Sequence, residues 1–89
     1  MSDYPNFPPY KYFLRILKTH SKSALLYIQL WQEKDRFSKV AVQKHLIRRE
    51  FLISKTIFRN LLTALKYTGV LDFNEDDRTY KISLLGSDD

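Results

Sequence analysis

The chain has 89 residues, of which 44% are hydrophobic and 15% aromatic, which suits one small domain with a single core. It has no cysteine, which excludes disulfide bonds, thiolate zinc sites and cysteine nucleophiles. The net charge of +5 is unevenly distributed: residues 34–66 hold nine basic and two acidic side chains, whereas residues 67–89 hold two basic and six acidic ones. The basic stretch is expected to attract polyanions, although a solvated lysine-rich surface would have the same composition.

The first nine residues contain all three prolines, which lack a backbone donor and disfavour helix in the residues before them. This pattern predicts an extended arm whose Tyr4 and Phe7 pack on the body of the domain or on a second protomer. Pro9 suits the first position of a helix, and the alternative is a short strand over residues 12–17. The predicted buried stripe of this helix is Tyr10, Phe13, Leu14 and Leu17.

A second helix is predicted over residues 22–34, with Ser21 or Ser23 as its N-terminal cap. Its apolar residues cover more than one face, which predicts a central and buried helix. Trp31 is expected in the core, and a platform for a ligand is the alternative role. The predicted apolar face consists of Ala24, Leu25, Ile28 and Trp31, widened by Leu26, Tyr27 and Leu30.

A basic third helix is predicted over residues 39–49, with Ser38 as its cap. A turn is expected to follow it and to lead directly into a fourth helix. The residues expected to be buried in the third helix and the turn are Val42, Leu46, Phe51 and Ile53.

The fourth helix is predicted over residues 54–68, with Ser54 as its cap and Gly69 in the left-handed position just beyond its end. The expected core stripe is Phe58, Leu61, Leu62 and Leu65, with Ile57 beside it. The polar face consists of Lys55, Thr56, Arg59, Asn60, Thr63 and Lys66. Side chains of these types can contact phosphates and the edges of bases.

Two short strands are predicted after the fourth helix. The first begins with Val70, Leu71 and Phe73, and residues 74–78 form the turn. In the second, Tyr80, Ile82 and Leu84 alternate with polar residues, which is the pattern of a half-buried strand.

A basic helix-turn-helix that runs through a glycine into a hairpin resembles the winged helix-turn-helix superfamily. The resemblance covers about residues 21–85 and rests on the order of elements, the helix ending KYTGVLDF and the strand YKISL. The predicted fold class is therefore mainly α with a small β-hairpin, an α+β winged helix-turn-helix. The expected organisation is an arm over residues 1–9, a winged-helix domain over 10–85 and an acidic tail over 86–89.

In that superfamily the second helix of the helix-turn-helix enters the major groove, and the hairpin, called the wing, often touches the adjacent backbone. The resemblance implies sequence-specific binding of double-stranded DNA by a small transcriptional regulator, with a replication-initiator module as an alternative. Arg59 is the candidate for contacting guanine and Asn60 for adenine. The candidate DNA-binding residues are Lys39, Lys44, Arg48, Arg49, Lys55, Thr56, Arg59, Asn60, Thr63, Lys66 and Arg78.

The predicted wing turn departs from the DNA-binding pattern. Glu75, Asp76 and Asp77 would be repelled by phosphates, and Arg78 is the one cation beside them. This departure supports a second hypothesis, a protein-interaction module that binds a protein partner through the acidic wing and the aromatic arm. A third hypothesis is a homodimer that binds two DNA half-sites.

No pattern of catalytic or cofactor-binding residues is present, so an enzyme is not expected. His20 and His45 have no carboxylate at metal-ligand spacing, and the two glycines form no phosphate-binding loop. No segment has the length of a membrane span or the pattern of a secretory signal. We therefore expect a soluble protein, cytoplasmic or nucleoid-associated, that uses no metal or cofactor and no membrane.

Overall fold

Helices pack with a small sheet in the computed structural model, which describes residues 7–33 and 41–86. The helices are α1 (Tyr10–Thr19), α2 (Ala24–Gln32), α3 (Ile47–Phe51) and α4 (Lys55–Tyr67), and the strands are β1 (Val42–Gln43), β2 (Leu71–Glu75) and β3 (Thr79–Leu84). Single 3-10 turns, Ser21–Ser23 and Lys44–Leu46, lead into α2 and α3. The mainly helical α+β class is confirmed. The predictions for Tyr4, Ser38, Lys39 and residues 87–89 lie outside the described residues.

The sheet has three strands in the order β1–β3–β2, and both pairings are antiparallel. The predicted hairpin is confirmed: Leu71 pairs with Leu84, and Glu75 pairs with Tyr80. Its turn is shorter than predicted, because Asn74 and Glu75 belong to β2. The side chains of β3 alternate between buried and exposed as expected, so the sheet turns one face to the core.

The predicted third helix over residues 39–49 is wrong at residues 42–46, which form a strand and a 3-10 turn. Val42 and Gln43 form β1, which pairs with β3, and α3 begins only at Ile47. Val42 is β-branched and fits a pleated, half-buried surface. The buried residues of α3 are Ile47 and Phe51, while Leu46, which was expected to be buried, is only half-buried. Val42 is buried as predicted, although it lies on a strand.

The helix predicted after Pro9 is confirmed, and the strand alternative is wrong, because the amides of Tyr12 and Phe13 both donate to the Pro9 carbonyl at 3.1 Å. The predicted stripe is only partly right. Tyr10 is 71% exposed, whereas Ile16 is completely buried. The residues that face the core are Tyr12, Phe13 and Ile16, a stripe rotated from the predicted one, and Leu17 lies outside it with 44% exposure.

The second helix is shorter than predicted, but it lies in the core as expected. Its buried residues are Ala24, Leu26, Tyr27, Leu30 and Trp31. Leu25 was expected on the buried face and is instead 80% exposed. Trp31 packs edge-on against Tyr27, with ring centres 6.4 Å apart, which agrees with a role in the core.

The fourth helix follows the sequence pattern most closely. Ser54 caps it, since its Oγ accepts a hydrogen bond from the Ile57 amide at 3.2 Å. The predicted stripe faces the core, with Phe58, Leu62 and Leu65 fully buried and Leu61 half-buried. Ile57, predicted beside the stripe, is 49% exposed.

Gly69 ends the fourth helix with φ +82°, the left-handed conformation that was predicted there. A Cβ at this position would also lie 3.3 Å from Arg15 Nη1. That guanidinium donates to the Thr68 carbonyl at 3.2 Å and so attaches α1 to the C-terminal end of α4. Phe51 and Ile53 pack in and against the core as predicted, but Phe51 is the last residue of α3 and does not belong to the turn, which starts after it.

Candidate nucleic-acid interface

The outer face of α4 carries a row of polar side chains opposite its buried stripe. Thr56, Arg59, Asn60 and Thr63 are all exposed, and their spacing of three and four residues places them on one side of the helix. The Ser54 cap fixes where the helix begins and therefore which residues form this row. The row offers hydroxyl, amide and guanidinium groups, which are the donors and acceptors that bind base edges and phosphates.

A carboxylate at the end of β2 joins this row to the turn before α3. Glu75 Oε1 accepts a hydrogen bond from Arg59 Nε at 2.9 Å, and Oε2 accepts one from Lys44 Nζ at 2.6 Å. These three residues are called the Glu75 cluster. The side chains of Lys44 and Glu75 are 19% and 28% exposed, whereas that of Arg59 is 61% exposed. The Arg59 side chain therefore extends into solvent while its Nε is hydrogen-bonded to the hairpin.

An aromatic surface supports the Glu75 cluster. Glu75 pairs with Tyr80 across the hairpin, and the Tyr80 ring lies 5.4 Å from the Phe58 ring on α4. The Lys44 ammonium lies 5.0 Å from the centre of the Tyr80 ring, within the range of a cation–π contact. The Lys44 amide also donates to the Arg78 carbonyl at 2.8 Å. The cluster is thus held by β3 as well as by β2 and α4.

The charges within the Glu75 cluster stabilise one another. The Lys44 ammonium and then the Arg59 guanidinium hold the pKa of Glu75 below its ordinary value. The Glu75 carboxylate in turn raises the pKa of Lys44 and the pKa of Arg59. All three side chains are therefore charged at neutral pH, and the cluster keeps a net positive charge.

A second ion pair joins β2 to the other end of α4. Lys66 Nζ lies 3.2 Å from Asp72 Oδ1, and it lies 5.4 Å from the centre of the Phe73 ring. Lys66, and then the Phe73 amide, lower the pKa of Asp72. The two side chains are 54% and 65% exposed, so this pair is well solvated.

Two of the three acidic residues predicted at the tip of the hairpin have hydrogen-bond partners within the chain. Asp76 Oδ1 accepts hydrogen bonds from the Arg78 amide at 2.9 Å, the Thr79 amide at 2.8 Å and the Thr79 hydroxyl at 3.0 Å. The two amides lower the pKa of Asp76 and fix the turn. Glu75 lies on β2 and accepts hydrogen bonds from two cations, so its predicted place in the turn with Asp76 and Asp77 is wrong. Asp77 is the acid of that group for which we find no such role.

A cavity of about 310 Å³ lies beside the Glu75 cluster. It is lined by Lys44, His45, Lys55, Asp77 and Arg78. Three of these side chains are cations and one is an anion, so the cavity favours an anionic group.

The structure brings together four of the predicted site residues, Lys44, Lys55, Arg59 and Arg78, around the cluster and the cavity. Arg48 and Arg49 are exposed on α3, next to this region in the chain. Lys66 lies at the other end of α4 in its pair with Asp72, and Lys39 is outside the described residues.

Two residues of this region, Glu75 and His45, were not among the predicted DNA-binding residues. The sequence pattern that could have placed Glu75 on a strand is the alternation of β2. Leu71 is buried and Phe73 half-buried, and Glu75 follows them at the same two-residue period. That period places the Glu75 side chain on the same side of β2 as Phe73, but the strand was not extended to residue 75 and Glu75 was assigned to the turn.

Comparison of the chain with protein-family models, with curated proteins and with solved structures gives no match. Over residues 7–33 and 41–86, no helix combines the length and the apolar character that a membrane crossing requires. Within the same ranges, no three histidine or acidic side chains are grouped as metal ligands.

Proposed function

We propose that this chain is a winged helix-turn-helix protein that binds double-stranded DNA in a sequence-specific manner and acts as a small transcriptional regulator. The order α2, β1, α3, α4, β2, β3 supports this fold, with α3 and α4 as the helix-turn-helix and the β2–β3 hairpin as the wing. The exposed polar row of α4 is the observation that carries the proposal, because it lies beside cations contributed by separate elements.

In the proposed complex, α4 lies in the major groove with its polar row against the bases. Arg59 donates to guanine O6 and N7 through its two terminal nitrogens, and Asn60 contacts adenine. Thr56, Thr63 and Lys66 bind phosphates on either side of the groove.

The cavity beside the wing receives a backbone phosphate in this arrangement. Lys44, Lys55 and Arg78 supply the positive charge there, and Arg48 and Arg49 on α3 extend it along the backbone. Asp77 opposes the phosphate, and Glu75 already offsets part of the charge of Lys44, so affinity depends on the surrounding cations outweighing these two acids.

The test is to select binding sites from a pool of random duplexes and to compare Arg59→Ala with Lys18→Ala on the selected site. Both substitutions remove one cation, but Lys18 lies on α1, which packs at the C-terminal end of α4. Arg59→Ala is expected to weaken binding about tenfold or more and to relax the preference at one guanine, whereas Lys18→Ala retains both. Equal effects of the two substitutions would contradict the assignment of α4 as the recognition helix.

The second candidate function is a protein-interaction winged helix. The exposure of Phe7 and Tyr10, 58% and 71%, favours it, because large exposed aromatic side chains are enriched in interfaces. The use of Glu75 and Asp76 in contacts within the chain weakens the acidic-wing part of this hypothesis. Sedimentation of the intact protein tests the third hypothesis, a homodimer that binds two DNA half-sites: a monomer at high concentration rules it out.

A further inference from the structure

We infer that Glu75 is a positioning residue for base recognition: it holds the Arg59 guanidinium by Nε, so that both terminal nitrogens are presented to a guanine. This inference rests on the proposed function and assigns a role in specificity to an acidic residue of the wing. An acid so close to a DNA-binding surface would otherwise be expected only to repel phosphates.

The atoms used in the contact support this role. An arginine side chain has one N–H on Nε and two on each terminal nitrogen, Nη1 and Nη2. In the described part of the chain, Arg59 is hydrogen-bonded to Glu75 through Nε alone, at 2.9 Å. Guanine O6 and N7 accept two parallel hydrogen bonds, and Nη1 and Nη2 can supply both. The Arg59 side chain is 61% exposed, so a base can reach these nitrogens.

Glu75 is itself held in place, which a positioning residue requires. Its second oxygen accepts from Lys44 at 2.6 Å, and the Lys44 ammonium lies over the Tyr80 ring. The backbone of Glu75 pairs with Tyr80 in the sheet. A long arginine side chain loses rotamer freedom when it binds, and a contact that already restricts it reduces that loss.

A simple charge effect makes a different prediction from a positioning effect. If Glu75 acts only as a negative charge, its removal tightens binding to every duplex alike, because phosphate repulsion does not depend on sequence. If Glu75 positions Arg59, its removal reduces the preference for guanine specifically. The two variants Glu75→Gln and Glu75→Ala separate these effects, since they change the charge equally but only glutamine keeps a carbonyl oxygen for Arg59 Nε.

The experiment measures binding of the intact protein to its selected duplex and to the same duplex with 7-deazaguanine, which lacks the N7 acceptor, at the Arg59-dependent position. The wild-type protein is expected to prefer guanine about tenfold. Glu75→Ala should reduce this preference to about twofold or less, and Glu75→Gln should retain most of it. Asp72→Asn is the matched control: it removes one acid from the same strand and releases Lys66, so the preference should be unchanged.

A second readout does not involve DNA. The Nε proton of Arg59 should exchange slowly with solvent in the wild-type protein and in Glu75→Gln, and rapidly in Glu75→Ala, as measured by NMR. A merely structural contribution of Glu75 would lower thermal stability without this difference between the two variants.

The outcomes separate the two proposals. A wild-type protein that binds no duplex at low salt contradicts the proposed function, and the inference with it. A wild-type protein that prefers guanine, with both Glu75 variants retaining that preference, leaves DNA binding intact and overturns the inference. Equal tightening of both variants on both duplexes overturns it too and makes Glu75 a repelling charge only.

Discussion

Strand β2 and helix α4 meet through two acid–base contacts that look alike in sequence and differ in structure. Lys66 and Asp72 form one pair at 3.2 Å, with both side chains more than half exposed. Glu75 accepts from two cations, and it and Lys44 are largely covered by protein. An exposed pair contributes little to stability, whereas a partly covered carboxylate shared by two cations restricts all three side chains. The effect of an ion pair on stability and side-chain order therefore depends on how far the protein covers it.

The largest expected effect comes from the aromatic core below the Glu75 cluster. Phe58 is completely buried, and its ring lies 4.8 Å from Phe51 and 5.4 Å from Tyr80. Phe58→Ala should lower the free energy of unfolding by about 3–5 kcal/mol because it removes a buried ring and leaves a cavity. Urea denaturation measures this change. Tyr67→Ala on the same helix is the control, because Tyr67 is 92% exposed. A loss below about 1 kcal/mol for Phe58→Ala would contradict the core assignment.

The next effect concerns the end of α4 that carries the cluster. Ser54→Ala removes the capping hydrogen bond to the Ile57 amide and should lower the free energy of unfolding by about 1 kcal/mol. Hydrogen exchange should accelerate at the start of α4 and remain unchanged near Lys66. Thr56→Ala, a substitution of an exposed residue in the first turn, serves as the control. Uniform acceleration along the helix would show that the cap does not stabilise this end selectively.

Acid should weaken both contacts. The pKa values of Glu75 and Asp72 are lower in the folded protein than their ordinary values, since cations bind their charged forms. Each carboxylate therefore contributes stability at neutral pH. This contribution is lost as pH falls below the ordinary pKa, which is 4.5 for Glu75 and 3.8 for Asp72, and through the lower folded pKa. In thermal unfolding at a series of pH values, the melting temperature at acid pH should fall more steeply for the wild-type protein than for Glu75→Gln. The same dependence on pH for both proteins would mean that the Glu75 cluster is not formed in solution.

The smallest effect should come from the exposed pair. Lys66→Ala is expected to leave the urea midpoint unchanged, because both partners are well solvated and the pair contributes little. Lys44→Ala should lower the midpoint, since it removes a partner of Glu75 and the contact with the Tyr80 ring. Equal changes of the urea midpoint in the two lysine variants would contradict the claim that the Glu75 cluster stabilises the fold more than the Lys66–Asp72 pair.

The parts of the fold that depend on neighbouring residues were predictable from sequence. The Ser54 cap, the buried stripe of α4 and the left-handed Gly69 each follow from a local pattern. The alternation of β3 likewise predicted which of its side chains are buried.

The parts that depend on distant partners were not predictable. Strand β1 has two residues, and its conformation is fixed by pairing with Tyr80 and Thr79, far along the chain. The buried face of α1 was misassigned because two stripes fit the helical period, and only contact with the rest of the core selects one. Glu75 was assigned to the acidic turn, because the two cations that hold it, Lys44 and Arg59, lie far from it in the sequence.

The most direct test of the central claim is fluorescence anisotropy of a labelled random-sequence duplex, titrated with the intact protein at low and at high salt. Each phosphate that a cation neutralises releases counterions, so the affinity should fall about a hundredfold or more when salt rises from about 50 to about 200 mM. A failure to bind the duplex at low salt, or an affinity that does not depend on salt, would contradict DNA binding by the α4 face.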